Sequence, residues 1–167
     1  MQRRLVLIRH ATAASAPVDV NRPLTRHGEE QAAAIGRRLQ QADLRPDRVV
    51  VSPALRARRT WEEAAREFPA PPPSIVDERL YENTVEAVFA VVRETADDCA
   101  IAALVGHNPS VGLVASILDS GEGNPAALRN LRAGFPPGGV AVFTLEIAFD
   151  ALAPGTATLT DFTVPRA

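Results

Sequence analysis

The chain is poor in cysteine and histidine: Cys99 stands alone, and three histidines occur in 167 residues. A lone cysteine excludes an intrachain disulfide, and so few soft ligands argue against a structural zinc site. Both absences fit a reducing, cytoplasmic setting. Long apolar runs are also missing. Leu5 to Ile8 ends at Arg9 after four residues, too short for an export signal despite the basic Arg3-Arg4 before it. No other stretch approaches the roughly 20 apolar residues of a membrane span. Excess charge of one sign is lacking too. Lys and Arg total 18 against 20 Asp and Glu, intermingled, so there is no field to gather nucleic acid or an anionic membrane. At this length one domain, 1–167, is expected, with a core large enough to need neither disulfide nor metal.

What is present alternates between strand and helix. Leu5-Val6-Leu7-Ile8 reads as a strand buried on both faces, followed by a polar loop from Arg9 to Arg22. Thr25 offers an N-cap, and Ala32, Ile35 and Leu39 follow at helical spacing, which predicts a helix over about 25–41. Val49-Val50-Val51 is a strand that passes to a helix with Ser52 as cap and Pro53 as first residue. The apolar stripe of that helix is Ala54, Ala57, Trp61, Ala64 and Phe68. The same grammar returns in strand Ile101 to Val105, turn Gly106-His107, cap Asn108, Pro109, and stripe Val111, Val114, Ala115 and Leu118.

Between these units lie a short strand at Ile75-Val76 and a helix whose buried face is Val85, Val88, Phe89 and Val92. A Gly- and Pro-containing region runs from Gly121 to Gly139. Val140 to Ile147 and Thr156 to Val164 then read as an antiparallel strand pair joined through Ala153-Pro154-Gly155. The pattern defines an α/β three-layer sandwich: a mostly parallel central sheet, helices on both faces, and a C-terminal antiparallel pair.

Ligands of open α/β sheets bind beyond the carboxyl ends of the strands, and that is where Arg9-His10, Ser52 to Arg56 and His107-Asn108 fall. Two of these segments open a helix, whose free N–H groups and dipole favour an anion. Arg9 and His10 can share a pocket only if the chain leaves β geometry just after Ile8. In such a pocket, neutral His10 could attack phosphorus and carry a phosphoryl group that water later removes. Arg9 and Arg56 would clamp the equatorial oxygens with planar forks, and His107, protonated beside a dianion, would add a donor. Charge neutralisation of this kind requires no metal and no cofactor.

Leu7-Ile8-Arg9-His10-Ala11 resembles the Arg-His-Gly signature of the histidine phosphatase superfamily. Arg22-Pro23-Leu24-Thr25 with Gly28 resembles the stretch that follows it. Val51-Ser52-Pro53-Ala54-Leu55-Arg56-Ala57 with Thr60 is similar to the family's second arginine motif, and Val105-Gly106-His107-Asn108-Pro109 to its second histidine motif. The branch that this chain most resembles is the SixA-like phosphohistidine phosphatases, which are short, lack inserted lids and often carry Ala where Ala11 stands. The resemblance implies His10 as nucleophile and Arg9, Arg56 and His107 as phosphate ligands. Larger members add a general acid from an inserted segment, which has no clear match here. Glu82 lies in a suitable region.

A pocket without a strong acid favours a labile substrate such as phosphohistidine, and the lack of inserts implies an open site suited to a protein-borne phosphate. The partner is thus a phosphorylated protein or a small phosphorylated substrate, with neither nucleic acid nor membrane involved. Two alternatives stand beside this: a broad phosphomonoesterase or phosphosugar phosphatase, and a non-catalytic phosphate-binding module. Retention of the nucleophile His10 speaks against the last. Arg58 and Arg59 read as a solvated helix face pairing with Glu62 and Glu63, His27 as surface, and Cys99 and Trp61 as core.

Overall fold

The computed structural model describes residues 1–166. The first apolar run forms β1 (Arg3–Arg9), wholly buried from Leu5 to Ile8. The other strands are β2 (Arg48–Val51), β3 (Ser74–Val76), β4 (Ile101–Gly106), β5 (Val140–Leu145) and β6 (Thr158–Thr163). They form one six-stranded sheet in the order β3-β2-β4-β1-β5-β6. β3, β2, β4 and β1 run parallel, while β5 is antiparallel to both β1 and β6. The fold is therefore the expected α/β sandwich, closed by an antiparallel C-terminal pair.

Alternate residues of each strand feed two cores. Val6, Ile8, Val49, Val51, Ala103 and Val105 pack against Ile35 and Leu39 of α1 (Arg26–Gln41) and Trp61 and Ala64 of α2 (Leu55–Ala65). Leu5, Leu7, Val50, Leu104 and Phe143 face the opposite layer of α3 (Val85–Arg93), α4 (Ser110–Leu118) and α5 (Pro125–Arg132). Burying each large aliphatic or aromatic side chain contributes roughly 1.5–3 kcal/mol. The two faces together explain why the central strands read as continuous apolar runs rather than alternating ones. Helices α1 and α2 approach closely at Gly36, where a Cβ would stand 2.1 Å from the carbonyl oxygen of Ala64.

Several expectations need correction in detail. Thr25 does cap α1, its Oγ1 accepting from Gly28 N at 2.9 Å. By contrast, α2 begins at Leu55 and α4 at Ser110, so Ser52-Pro53 and Asn108-Pro109 lie in the turns before the helices, not at their first residues. The Gly121 to Gly139 region hides α5, capped by Asn124 and opened by Pro125. The link between β5 and β6 also contains a short 3₁₀ turn at Phe149–Ala151. Arg59 pairs with both Glu62 and Glu63, whereas Arg58 donates to the carbonyl of Pro53 instead of reaching Glu62. Trp61 and Cys99 are buried, and His27 is exposed, as expected. No helix among the described residues is long and apolar enough to cross a membrane.

Candidate active site

The register of the three central strands sets the pocket. Arg9 of β1 pairs with Gly106 of β4, and Val105 of β4 with Val51 of β2. Hence His10, His107 and Ser52, each the residue after a strand end, leave the sheet side by side. His10 N donates to Gly106 O at 3.0 Å and Ser52 N to Val105 O at 3.1 Å, the last rungs of the two ladders. The chain thus departs from β geometry after Arg9, one residue later than expected, and this lets Arg9 and His10 reach a common region.

The His10 and His107 rings lie 5.2 Å apart between centroids, and both side chains are buried. His10 Nδ1 is 2.8 Å from Ala11 O. A carbonyl oxygen only accepts, so Nδ1 carries the proton and Nε2 keeps its lone pair. Ala11 is itself fixed, its N–H donating to Thr60 Oγ1 at 3.0 Å while that hydroxyl donates to Arg56 O at 2.7 Å. One threonine of α2 therefore ties the loop after His10 to the first turn of α2, which bears Arg56. Burial, with the Arg56, Arg9 and Arg22 charges, pushes His10 down to about 4. Burial, with His10 and Arg56, pushes His107 down to about 3. Both rings are neutral near pH 7.

His107 Nε2 is 2.7 Å from Ser52 Oγ, and among the described residues its Nδ1 is buried without a partner. Arg9 Nε and Arg56 Nε are likewise buried without partners among the described residues. Three orphaned polar atoms on three neighbouring cationic or cation-forming side chains are what an anion site offers its ligand. Arg9 Nη1 donates to Phe135 O at 2.9 Å, and Gly138 N lies 3.1 Å from both Arg9 O and His10 O, so the loop before β5 braces the first motif. A cavity of about 870 Å³ adjoins Arg9 and Asn108, with Phe135, Pro136, Phe162 and Val164 in its walls.

The expected contribution from the start of α4 is absent. Its N–H groups at Ser110, Val111 and Gly112 donate to Asn83 Oδ1, His107 O and Asn108 Oδ1 respectively, so they are already occupied. Asn83 also donates through Nδ2 to Asn108 O at 2.7 Å, clamping the turn that carries His107. At the start of α2 no side chain caps the first turn.

Sequence reasoning missed a second ring of residues. Arg56 Nη1 donates to Asp19 O at 2.9 Å, and Arg56 Nη2 lies 3.2 Å from Asp19 Oδ2. Tyr81 donates its hydroxyl to the same Oδ2 at 2.5 Å, and its ring stands nearly perpendicular to that of His107, centroids 6.0 Å apart. Arg22 Nη1 is 3.6 Å from Asp19 Oδ1. The Tyr81 hydroxyl first, then the Arg56 and Arg22 guanidiniums, hold the Asp19 carboxyl below the usual carboxylate range. Glu82, the carboxylate that the sequence singled out, is exposed and makes no hydrogen bond or ion pair among the described residues. Its neighbour Tyr81 is the side chain that this turn delivers to the pocket. No group of three or more His, Cys, Asp or Glu among the described residues is placed to hold a metal ion.

Fold and site together define an α/β protein with a histidine- and arginine-lined anion pocket beyond the carboxyl ends of parallel strands. Residues 5–108 match the histidine phosphatase superfamily (branch 1), and the chain belongs to that family. It is 32% identical over 162 residues to the uncharacterized protein Rv1276c of Mycobacterium tuberculosis, covering 95% of this chain and all of that one. Among solved structures it is similar to one from Nakamurella multipartitia assigned as a phosphohistidine phosphatase SixA. That likeness has 31% identity and a TM-score of 0.89 and covers 100% and 98% of the two chains. The protein histidine phosphatase SixA complexed with tungstate shares 28% identity and a TM-score of 0.76 over 96% of each chain. The SixA-like kinship implied by the motifs therefore holds over the whole fold.

Proposed function

We propose that this chain is a phosphohistidine phosphatase that works through a covalent intermediate on His10. The observation that carries the reading is the Nδ1–H to Ala11 O bond, which leaves Nε2 of a neutral, buried imidazole as the available lone pair among Arg9, Arg56 and His107. In the first step Nε2 attacks phosphorus, and the bond to the leaving group breaks with its electron pair going to that group. Arg9 and Arg56 hold the equatorial oxygens, and His107, drawing a proton as the dianion arrives, adds a third donor. Water then attacks the phosphoryl group, the P–N bond electrons return to Nε2, and the water proton leaves with phosphate. His10 keeps its Nδ1 proton throughout. The positive charge comes from side chains, so no metal or cofactor takes part.

Two features favour phosphohistidine over phosphate esters and phosphosugars. Glu82 is exposed and has no hydrogen bond or ion pair among the described residues to fix it over the pocket, and Asp19 is held ionised, so no strong acid is positioned for an alkoxide. The cavity beside Arg9 has mostly apolar walls with few partners for sugar hydroxyls and room for a bulkier, protein-borne group. Soluble location beside a cytoplasmic phosphoprotein partner fits the same reading. The test compares a phosphohistidine peptide, an aryl phosphate and sugar phosphates with and without chelator. Expected are highest kcat/KM on the peptide, no dependence on chelator, and acid-labile, base-stable phosphate on His10 by mass spectrometry. Phosphate found on another residue, or wild-type turnover by His10→Ala, overturns the mechanism.

A further inference from the structure

Phosphoryl transfer from an imidazole poses a proton problem at the ring nitrogen far from phosphorus. When the P–N bond breaks, its electron pair goes to the ring. A ring without a distal proton would leave as imidazolate, a poor leaving anion, whereas a ring protonated there leaves as neutral imidazole. On the enzyme's own side the problem is solved by Ala11 O, which holds the proton on His10 Nδ1 at 2.8 Å. The departing ring needs an equivalent acceptor.

Asp19 is a candidate for that acceptor, beside Arg56 and within the field of His107. In-line displacement sends the leaving group away from the nucleophile. His10 is 8% exposed, at the floor, so the leaving ring departs toward solvent. Asp19, its side chain 54% exposed, stands on that outer side of Arg56. Its Oδ2 is engaged by Arg56 and Tyr81, but among the described residues Oδ1 meets only Arg22 at 3.6 Å, beyond hydrogen-bond length, and so retains capacity to accept. The charged and titratable groups around it are Arg56 from α2, Arg22 from its own segment, Tyr81 from the 78–82 turn and His107 from the turn after β4. With two guanidiniums and a phenol turned toward it, the carboxylate is an acceptor and not an acid.

We propose that Asp19 is a specificity-determining residue whose carboxylate accepts the distal N–H of the substrate's phosphohistidine ring, so that the ring departs as neutral imidazole. The inference rests on the phosphohistidine reading of this pocket. In the balanced step, His10 Nε2 bonds to phosphorus, the substrate P–N bond breaks, and its electron pair neutralises the imidazolium. The distal proton stays on the leaving ring and Asp19 stays ionised. For an oxygen ester the same carboxylate faces a leaving group that turns anionic, and it hinders departure. Two rings exchange one phosphoryl group, each with an oxygen acceptor on its distal nitrogen.

The test uses the full chain and Asp19→Asn with two probes, N-phosphoimidazole and 2,4-dinitrophenyl phosphate. Loss of a charge-assisted hydrogen bond should lower kcat/KM on phosphoimidazole about 10- to 100-fold. On the aryl phosphate, any loss through Arg56 should be several-fold at most, so the ratio of the two substrates shifts by about tenfold or more in the variant. The alkaline limb of kcat on phosphoimidazole should move to lower pH, because the bound ring loses the group that keeps it protonated. Asp19→Glu should recover part of the ratio, and inorganic phosphate should bind Asp19→Asn at least as tightly as wild type. Equal losses on both probes, with weakened phosphate binding, would make Asp19 only a positioning residue for Arg56 and overturn the proposal alone. Wild-type enzyme that cleaves the aryl phosphate but not phosphoimidazole would remove the phosphohistidine reading and the proposal together.

Discussion

Within the pocket, the partner of each ring nitrogen decides what that nitrogen can do. His10 and His107 were legible in the sequence because each follows an apolar run ending in a turn, and Arg9 and Arg56 because they stand beside those turns. Asp19 and Tyr81 were not, and Arg22 stood out only as part of a motif, with no place in the pocket. They lie on exposed or partly exposed loops with no periodic pattern, and only the tertiary approach of two 3₁₀ turns brings Asp19 and Tyr81 together. Glu82 has the chemistry of an acid but is exposed and unpartnered among the described residues, whereas the phenol of Tyr81 before it, which no motif marks, bonds Asp19. Desolvation is the first cause of both depressed histidines, so free enzyme should show His10 and His107 titrating near pH 4 and 3, well below 6.5. Adding inorganic phosphate should raise both, since a dianion stabilises the protonated ring. Imidazole resonances followed by NMR across pH check this, and a titration near 6.5 without phosphate would contradict the neutral, buried pair.

Among the elements, the central strands and α1 to α4 follow from apolar runs and periodicity, and α1 also from its Thr25 cap, whereas α5 was hidden by the glycines and prolines around it. Propensity in that stretch is read over a window that includes Gly121, Gly123 and Gly134, although the helix occupies only Pro125–Arg132 between them. The misplaced starts of α2 and α4 have a different origin: Ser52 holds the N–H of Ala54 before α2, and Asn108 reaches over Pro109 to the N–H of Gly112 within α4, so each bonds like a cap while standing ahead of the helix's own first residue. Contact between α1 and α2 depends on Gly36, whose place no pattern of apolar residues announces. Gly36→Ala would force backbone apart, since the added carbon would lie 2.1 Å from Ala64 O. Overpacking of this kind should cost about 1–3 kcal/mol, read as a lower urea midpoint. The same substitution should lower kcat/KM, because α2 carries both Arg56 and Thr60.

For the whole molecule, the buried neutral histidines make stability depend on pH. Unfolded histidine takes up a proton near 6.5, whereas the folded rings do so only near 4 and 3. Below pH 6.5 the unfolded chain thus binds more protons, so the stability present above that pH declines as pH falls toward 4 and 3. Urea unfolding at pH 7 and pH 5 should give a lower midpoint at pH 5, and His107→Gln should narrow the gap. A gap unchanged in that variant would assign the acid sensitivity elsewhere. The shared register of β1, β4 and β2 has a further consequence. Neighbouring strands lie about 4.8 Å apart, close to the 5.2 Å between the two rings, so the backbone ladder acts as the ruler of the pocket. Segments that join the strands can lengthen or shorten without disturbing that measure. One residue inserted within β1 or β4 would shift the ruler by a full division, about 3.3 Å along the strand, and turn the histidine to the opposite face of the sheet.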